Sequence, residues 1–129
     1  MRKQYYFRPS ERGLLAWDVD RLIERSSRLP RKRIAIHNIG ELDDVWFGDD
    51  ERPTWRAMLA HVRLIEEANL SFPIILSANG AVMDGMHRVA KAVLQGHEEI
   101  DAVQFADDPE PDHIGRGPAD LPYGDTVDS

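Results

Sequence analysis

The sequence predicts an α+β fold, a small mixed sheet packed against helices. Three observations lead there. An apolar run, Pro73-Ile74-Ile75-Leu76, is followed by Asn79-Gly80 and then by Ala81-Val82-Met83. Asn-Gly between apolar runs favours a hairpin, because both residues tolerate the positive φ of a type I′ turn. Met86, Val89, Ala90, Val93 and Leu94 then recur at the i, i+3, i+4, i+7, i+8 spacing of a helix buried along one face. Finally, Ile34-Ala35-Ile36-His37 and the stretch from His97 to Phe105 have the β-branched content of strands.

The first thirteen residues mix Tyr5, Tyr6 and Phe7 with cations. Three adjacent aromatics are expected to pack on the domain or on a partner. Asp18 to Leu29 reads as a short helix. Asp18 or Asp20 caps it, Val19, Leu22, Ile23 and Ser26 face inward, and Arg25 and Arg28 suit its C-terminal end. Pro30 stops it. After the strand at Ile34, Gly40 to Arg52 is a polar loop rich in acids, anchored by Trp46 and Phe47. Pro53 to Ala68 is a second helix, with Trp55, Met58, Leu59, Val62 and Ile65 as its buried stripe. In the hairpin and the helix after it, Asp84 is the expected N-cap and Gly96 the expected left-handed C′ residue. From Ala106 four prolines, three glycines and seven acids stand against a single Arg. Such a stretch cannot bury a core of its own. It is expected to be held by contacts, wrapping the basic N-terminal segment or a neighbouring subunit. The chain thus divides into residues 1–33, 34–105 and 106–129.

At 129 residues, with 42% hydrophobic and 30% charged content, the chain has the composition of one globular domain. No apolar run approaches the roughly 18 residues of a membrane span, and the start does not look like a signal peptide. The absence of cysteine excludes disulfides and thiolate metal sites and fits a cytoplasmic protein. The net charge of −7 is uneven: residues 1–33 carry ten Lys/Arg against four Asp/Glu, and the remainder is strongly acidic. That balance argues against non-specific nucleic-acid binding, which needs many phosphates neutralised. There is no P-loop, no dinucleotide-binding glycine signature and no zinc pattern. The five histidines are not spaced as a metal pair on one helix face.

Chemistry concentrates at Asp84-Gly85-Met86-His87-Arg88. His87, Arg88 and Lys91 lie off the apolar stripe. A helix start presents free N–H groups and a positive dipole end, and adjoining cations complete a phosphate or carboxylate site. Gly85 would let a ligand approach the backbone. Each residue also has a plain structural reading as cap, turn or surface cation. Asp84 would repel an anion at the same helix end, unless it orients Arg88 or His87 or holds a metal that bridges to the anion.

The run from Ile34 to Phe105 resembles the ParB/sulfiredoxin superfamily, also called the ParB-like nuclease domain. The resemblance rests on "DGMHR" opening a helix with "VAKAVLQG", on the apolar hairpin before it and on the strand "IDAVQF" after it. In that family a Gly-x-x-Arg type motif binds nucleotide phosphates: ATP in sulfiredoxin, CTP in ParB, ADP or ATP in the free-serine kinases. The motif here is nearest the serine-kinase variant. Met86 stands at the position of the sulfiredoxin cysteine, which excludes sulfiredoxin chemistry. The residues after Phe105 are too few for ParB's helix-turn-helix domain.

The resemblance implies a nucleotide- or phosphate-binding protein, extending to phosphotransfer onto a small molecule, with ATP, ADP or CTP and Mg²⁺. Gly85, Met86, His87, Arg88 and Lys91 would bind the nucleotide, and Asp84 the metal. Asp84 and His87 would assist catalysis. Glu41 would be the general base, with Asp43 or Asp44 behind it. Two other readings stay open: a non-catalytic protein-interaction module of the same fold, with a protein partner or as a homodimer, and a nuclease.

Overall fold

The structure, a computed structural model, describes residues 3–44 and 54–123. Its centre is a four-stranded mixed sheet built from β3 (Lys32–Ala35), β4 (Ile74–Leu76), β5 (Val82–Asp84) and β6 (Glu99–Gln104), in the order β3-β6-β4-β5. β4 and β6 are parallel, and helix α3 (Met86–Leu94) carries the chain from β5 to β6; the other two pairings are antiparallel. The α+β expectation, with a mixed sheet made of the first strand, the hairpin and the closing strand, matches this arrangement.

The sheet is covered on both faces, which explains why Ile74-Ile75-Leu76 is apolar without alternation. Side chains of a strand point alternately to opposite faces. Ile74, Leu76, Val82, Ile100 and Ala102 pack with Val89 and Ala92 of α3 and with Ile36 and Ile39. Ile75, Met83, Val103 and Phe105 face the opposite way, against Trp17 and Leu22.

The second face is roofed by an element that periodicity did not announce. β1 (Tyr5–Arg8), β2 (Leu15–Asp18) and β7 (His113–Ile114) form a separate antiparallel sheet in the order β1-β2-β7. The acidic tail is thereby bound to the basic N-terminal segment. Asp108 pairs with Arg8 at 2.8 Å and accepts from the Ala78 amide at 2.8 Å. Asp112 accepts from the Asp18 amide at 2.8 Å and pairs with Arg21, and the Trp17 indole donates to the Pro109 carbonyl at 2.8 Å. The Arg8 guanidinium also lies 5.0 Å from the Trp17 ring centre, within cation–π range. Leu121 is buried, so the tail does contribute a core side chain. Two of the three aromatics pack on the domain as expected, Tyr6 against Trp17 and Tyr5 against His113 and Tyr123, while half-buried Phe7 lies beside Tyr5.

Several local expectations are corrected. Helix α1 spans Val19–Ser26 with Asp18 as its cap; it ends before Leu29, and Ile23 is exposed. β3 begins two residues earlier than expected, because Lys32 and Arg33 pair with Ala102 and Asp101 at the sheet edge. Ile36–Asn38 is a single 3₁₀ turn that drops Ile36 and Ile39 into the core. The hairpin is not type I′: Asn79 has negative φ and only Gly80 is left-handed, at φ 91°. The Ser77 carbonyl accepts from Gly80 and the Ser77 amide donates to the Ala81 carbonyl, which makes a three-residue loop closed by a left-handed glycine. At the end of α3, Gly96 is left-handed as expected, and His97 donates to the Ala92 carbonyl at 3.0 Å. That bond completes a Schellman motif. Val93 and Leu94, expected on the buried stripe, are exposed.

Helix α2 spans Trp55–Glu67 and begins from a Thr54 cap, whose hydroxyl accepts from the Ala57 amide at 3.0 Å. Pro53, Trp46 and Phe47 lie outside the described residues. The expected buried stripe is overturned, since no residue of α2 is buried. Trp55 is 79% exposed and Leu59 63%.

Candidate functional site

The site is built where β5 hands the chain to α3. Asp84 is the last residue of β5 and does not cap the helix; the N-cap is Gly85, at φ 117° and ψ 16°. A side chain there would be strained by φ and would collide with the interior. An added Cβ would lie 2.6 Å from Ile74 Cγ2 and 2.9 Å from Arg88 Nη2. Gly85 is therefore required by backbone conformation and by close packing on β4.

No side chain caps α3, whereas α1 and α2 are capped by Asp18 and Thr54. The N–H groups of a first helical turn have no intrahelical acceptor. Beside this helix end lies a cleft of about 480 Å³ lined by Gly85, Met86 and His87, by Val82, Met83 and Asp84 of β5, and by Lys3, Tyr5 and Tyr123. Lys3 was not anticipated. Lys3 and Gln4 reach the cleft because β1 pairs with β2 and the Lys3 amide donates to the Tyr123 carbonyl at 3.1 Å. Its ammonium is shared with Asp18 at 3.0 Å and Asp20 at 3.1 Å, and these bonds raise its pKa.

Arg88 does not join the amides at this cleft. Its Nη2 donates to Asp84 Oδ2 at 3.0 Å and to the Pro73 carbonyl at 3.2 Å. It lines a neighbouring groove of about 410 Å³ together with Asp84, Arg31, Ser26 and Phe72. Its Nε is buried and makes no hydrogen bond. Asp84 borders both spaces, and the expectation that it orients Arg88 matches the geometry. The ion pair also answers the repulsion problem, because the carboxylate beside the amides is neutralised.

Lys91 is elsewhere. Its ammonium donates to the Glu66 and Ala68 carbonyls, each at 2.8 Å, and so closes the C-terminal end of α2. His87 lines the amide cleft and also a third space of about 410 Å³, which it shares with Glu41, Asp44, His61, Met86 and apolar residues of α2. His87 Nε2 stands 3.4 Å from His61 Nδ1. Burial lowers the His87 pKa below the ordinary imidazole value, and the neighbouring His61 adds to the effect. Glu41 Oε2 accepts from the Val82 amide at 2.6 Å, which holds one carboxylate oxygen at the start of β5. Asp43 is exposed in the 3₁₀ turn that carries Glu41.

The described residues contain no group of three or more His, Asp or Glu side chains gathered as a metal site. Among them, no helix is long and apolar enough to cross a membrane. Sequence reasoning missed Lys3 and Tyr123 because they reach the site through the β1-β2-β7 sheet, whose strands are too short to show a period. Comparison with family models, curated proteins and solved structures gave no match to this chain.

Proposed function

We propose that the protein binds the phosphate groups of a nucleotide at the N-terminus of α3. One observation carries this reading: the helix lacks a side-chain cap, and its first residues line a cleft large enough for a small ligand. The "DGMHR" resemblance points to the same end of the same helix. The amides of Met86 and His87 would hold phosphate oxygens, with the His87 ring beside them and the Lys3 ammonium across the cleft. Arg88 would act through Asp84, keeping it neutralised at the cleft's edge. Lys91 has no part in the site.

Phosphotransfer is the extension of this reading. Glu41 and His87 border a second space that adjoins the first at Met86 and His87, where an acceptor hydroxyl would lie within reach of the Glu41 carboxylate. Asp84 has one oxygen committed to Arg88, which leaves a single carboxylate oxygen for a cation. That fits Mg²⁺ carried in on the phosphates, since this ion commonly takes one or two protein carboxylates and keeps its waters. When bound, Mg²⁺ would supply charge neutralisation on the transferring group.

Isothermal titration with ATP, ADP, CTP and inorganic phosphate tests the reading. At about 100 times the dissociation constant, a bound nucleotide should stabilise the fold by about 2.7 kcal/mol. His87→Glu places an anion in the first turn, where it favours the helix and repels phosphate. It should abolish binding and leave the fold intact. No binding by the unmodified chain, or unchanged binding by His87→Glu, would overturn it.

A further inference from the structure

We infer that α2 is a homodimer interface, in which two copies of this chain pack their bare α2 faces antiparallel. The observation is an amphipathic helix whose apolar face, among the described residues, is left exposed. Ala57, His61 and Ile65 form a half-buried stripe, and His61 meets His87 of α3. Trp55, Met58, Leu59 and Val62, at i, i+3, i+4 and i+7, form the adjacent stripe, and every one of them is exposed. The patch continues into the groove lined by Leu42, Met58, Val62, Met86 and Ala90. Monomeric proteins seldom leave a contiguous apolar surface of this kind uncovered. A helix of 13 residues with no fully buried side chain has little of the tertiary packing that normally supplies helix stability.

Charge identifies the occupant. Arg56 lies in the first turn of α2 and Glu66 and Glu67 in the last, with no acid in the first turn and no base in the last. This order runs against the helix dipole, which favours acids at the start and bases at the end. An antiparallel second copy removes the conflict. Its Glu66 and Glu67 come beside Arg56, its dipole is opposed, and Leu59 of one copy meets Val62 of the other near the two-fold axis. A symmetric pair needs one self-complementary surface, and α2 has one. This inference does not rest on nucleotide binding at α3, although the groove at its edge is the space that holds Glu41 and His87.

Sedimentation velocity on the full chain across a concentration series tests it. The unmodified chain should pass from monomer to dimer as concentration rises. Leu59→Glu, at an exposed position, should give a monomer with an unchanged circular dichroism spectrum. Arg56→Glu should raise the dimer dissociation constant about tenfold by placing like charges together. Combining Arg56→Glu with Glu66→Arg and Glu67→Arg should restore association, because the swap rebuilds the pairing between copies. The swap needs no apolar substitution, so it still reads out if Leu59→Glu fails to fold. A chain that stays monomeric at every soluble concentration, including one whose α2 face captures a different protein, overturns the inference. A dimer unaffected by Arg56→Glu, or not restored by the swap, overturns it equally.

Discussion

Helices α2 and α3 carry the same kind of apolar spacing and have opposite fates. In α3, Val89 and Ala92 are almost wholly buried against the sheet, and the helix is fixed at both ends by left-handed glycines. In α2 no residue is buried, and the side chain best suited to anchor it, Trp55, is the most exposed. Periodicity identifies an apolar face, but it does not say whether the covering surface belongs to the same chain. α3 links β5 to β6 within one sheet, and its Val89 and Ala92 pack on that sheet. α2 pairs with no strand of that sheet, and among the described residues its main packing is against α3.

The strongest way to break this contrast is to truncate one apolar side chain on each side of it. Ile74→Ala removes a side chain with no solvent exposure from the core under α3. It should cost about 3–4 kcal/mol in urea denaturation. Leu59→Ala on α2, measured at concentrations too low for association, should cost under about 0.5 kcal/mol. Comparable losses at the two positions would show that the α2 face is covered within the monomer.

Gly85→Ala should follow at about 3 kcal/mol, from a left-handed φ and overpacking against Ile74 together. Gly80→Ala separates the two contributions. Gly80 is also left-handed, at φ 91°, but nothing lies within 4 Å of an added Cβ. Its loss should be about 1 kcal/mol. Equal losses would mean that close packing at the head of α3 contributes nothing.

These positions also show how far the sequence could be read. The mixed sheet, helix α3 and its glycine ends follow from local signals: an apolar run, a 3.6-residue period, Gly85 and Gly96. The hairpin was legible but its turn type was not, because Asn79-Gly80 satisfies either a two-residue or a three-residue loop. The β1-β2-β7 sheet was hidden. Its last strand is two residues long, and it is tied down by contacts far apart in the chain, Asp108 to Arg8 and Asp112 to Arg21. At the site, the motif located the right helix end. Spacing alone put Arg88 and Lys91 beside His87, yet the fold sends one to Asp84 and the other to the end of α2. Both are cations on a helix, and only the surrounding carbonyls and carboxylates decide which way each points.

Lys91 sharpens the comparison from the other direction, since it ties the two helices together. Lys91→Met keeps much of the apolar stem and removes the ammonium from the Glu66 and Ala68 carbonyls. The expected loss is about 1 kcal/mol. Hydrogen exchange should accelerate in the last turn of α2 and stay unchanged in β4. Acceleration spread evenly over both would mean that α2 and the sheet open as one unit.

The smallest effect expected is a pH dependence at the seam between the helices, and its sign follows from the surroundings of His87. Burial disfavours the imidazolium, His61 on α2 and Arg88 on α3 repel it, and only Asp84 favours it. The folded-state pKa therefore lies below the ordinary value of 6.5. As pH falls through 6.5, the unfolded chain takes up the proton first, so stability declines with falling pH until the folded-state pKa is passed. One proton sets a ceiling of about 1.4 kcal/mol per pH unit, and partial solvent exposure keeps the slope well below it. His87→Gln should flatten this component of the urea-midpoint profile between pH 7.5 and 5.5. Because the repelling partner sits on α2, acidification should raise hydrogen exchange in α2 before it does so in α3. A faster response in α3 would place the strain at the helix start, in the amide cleft, and not in the packing between the two helices.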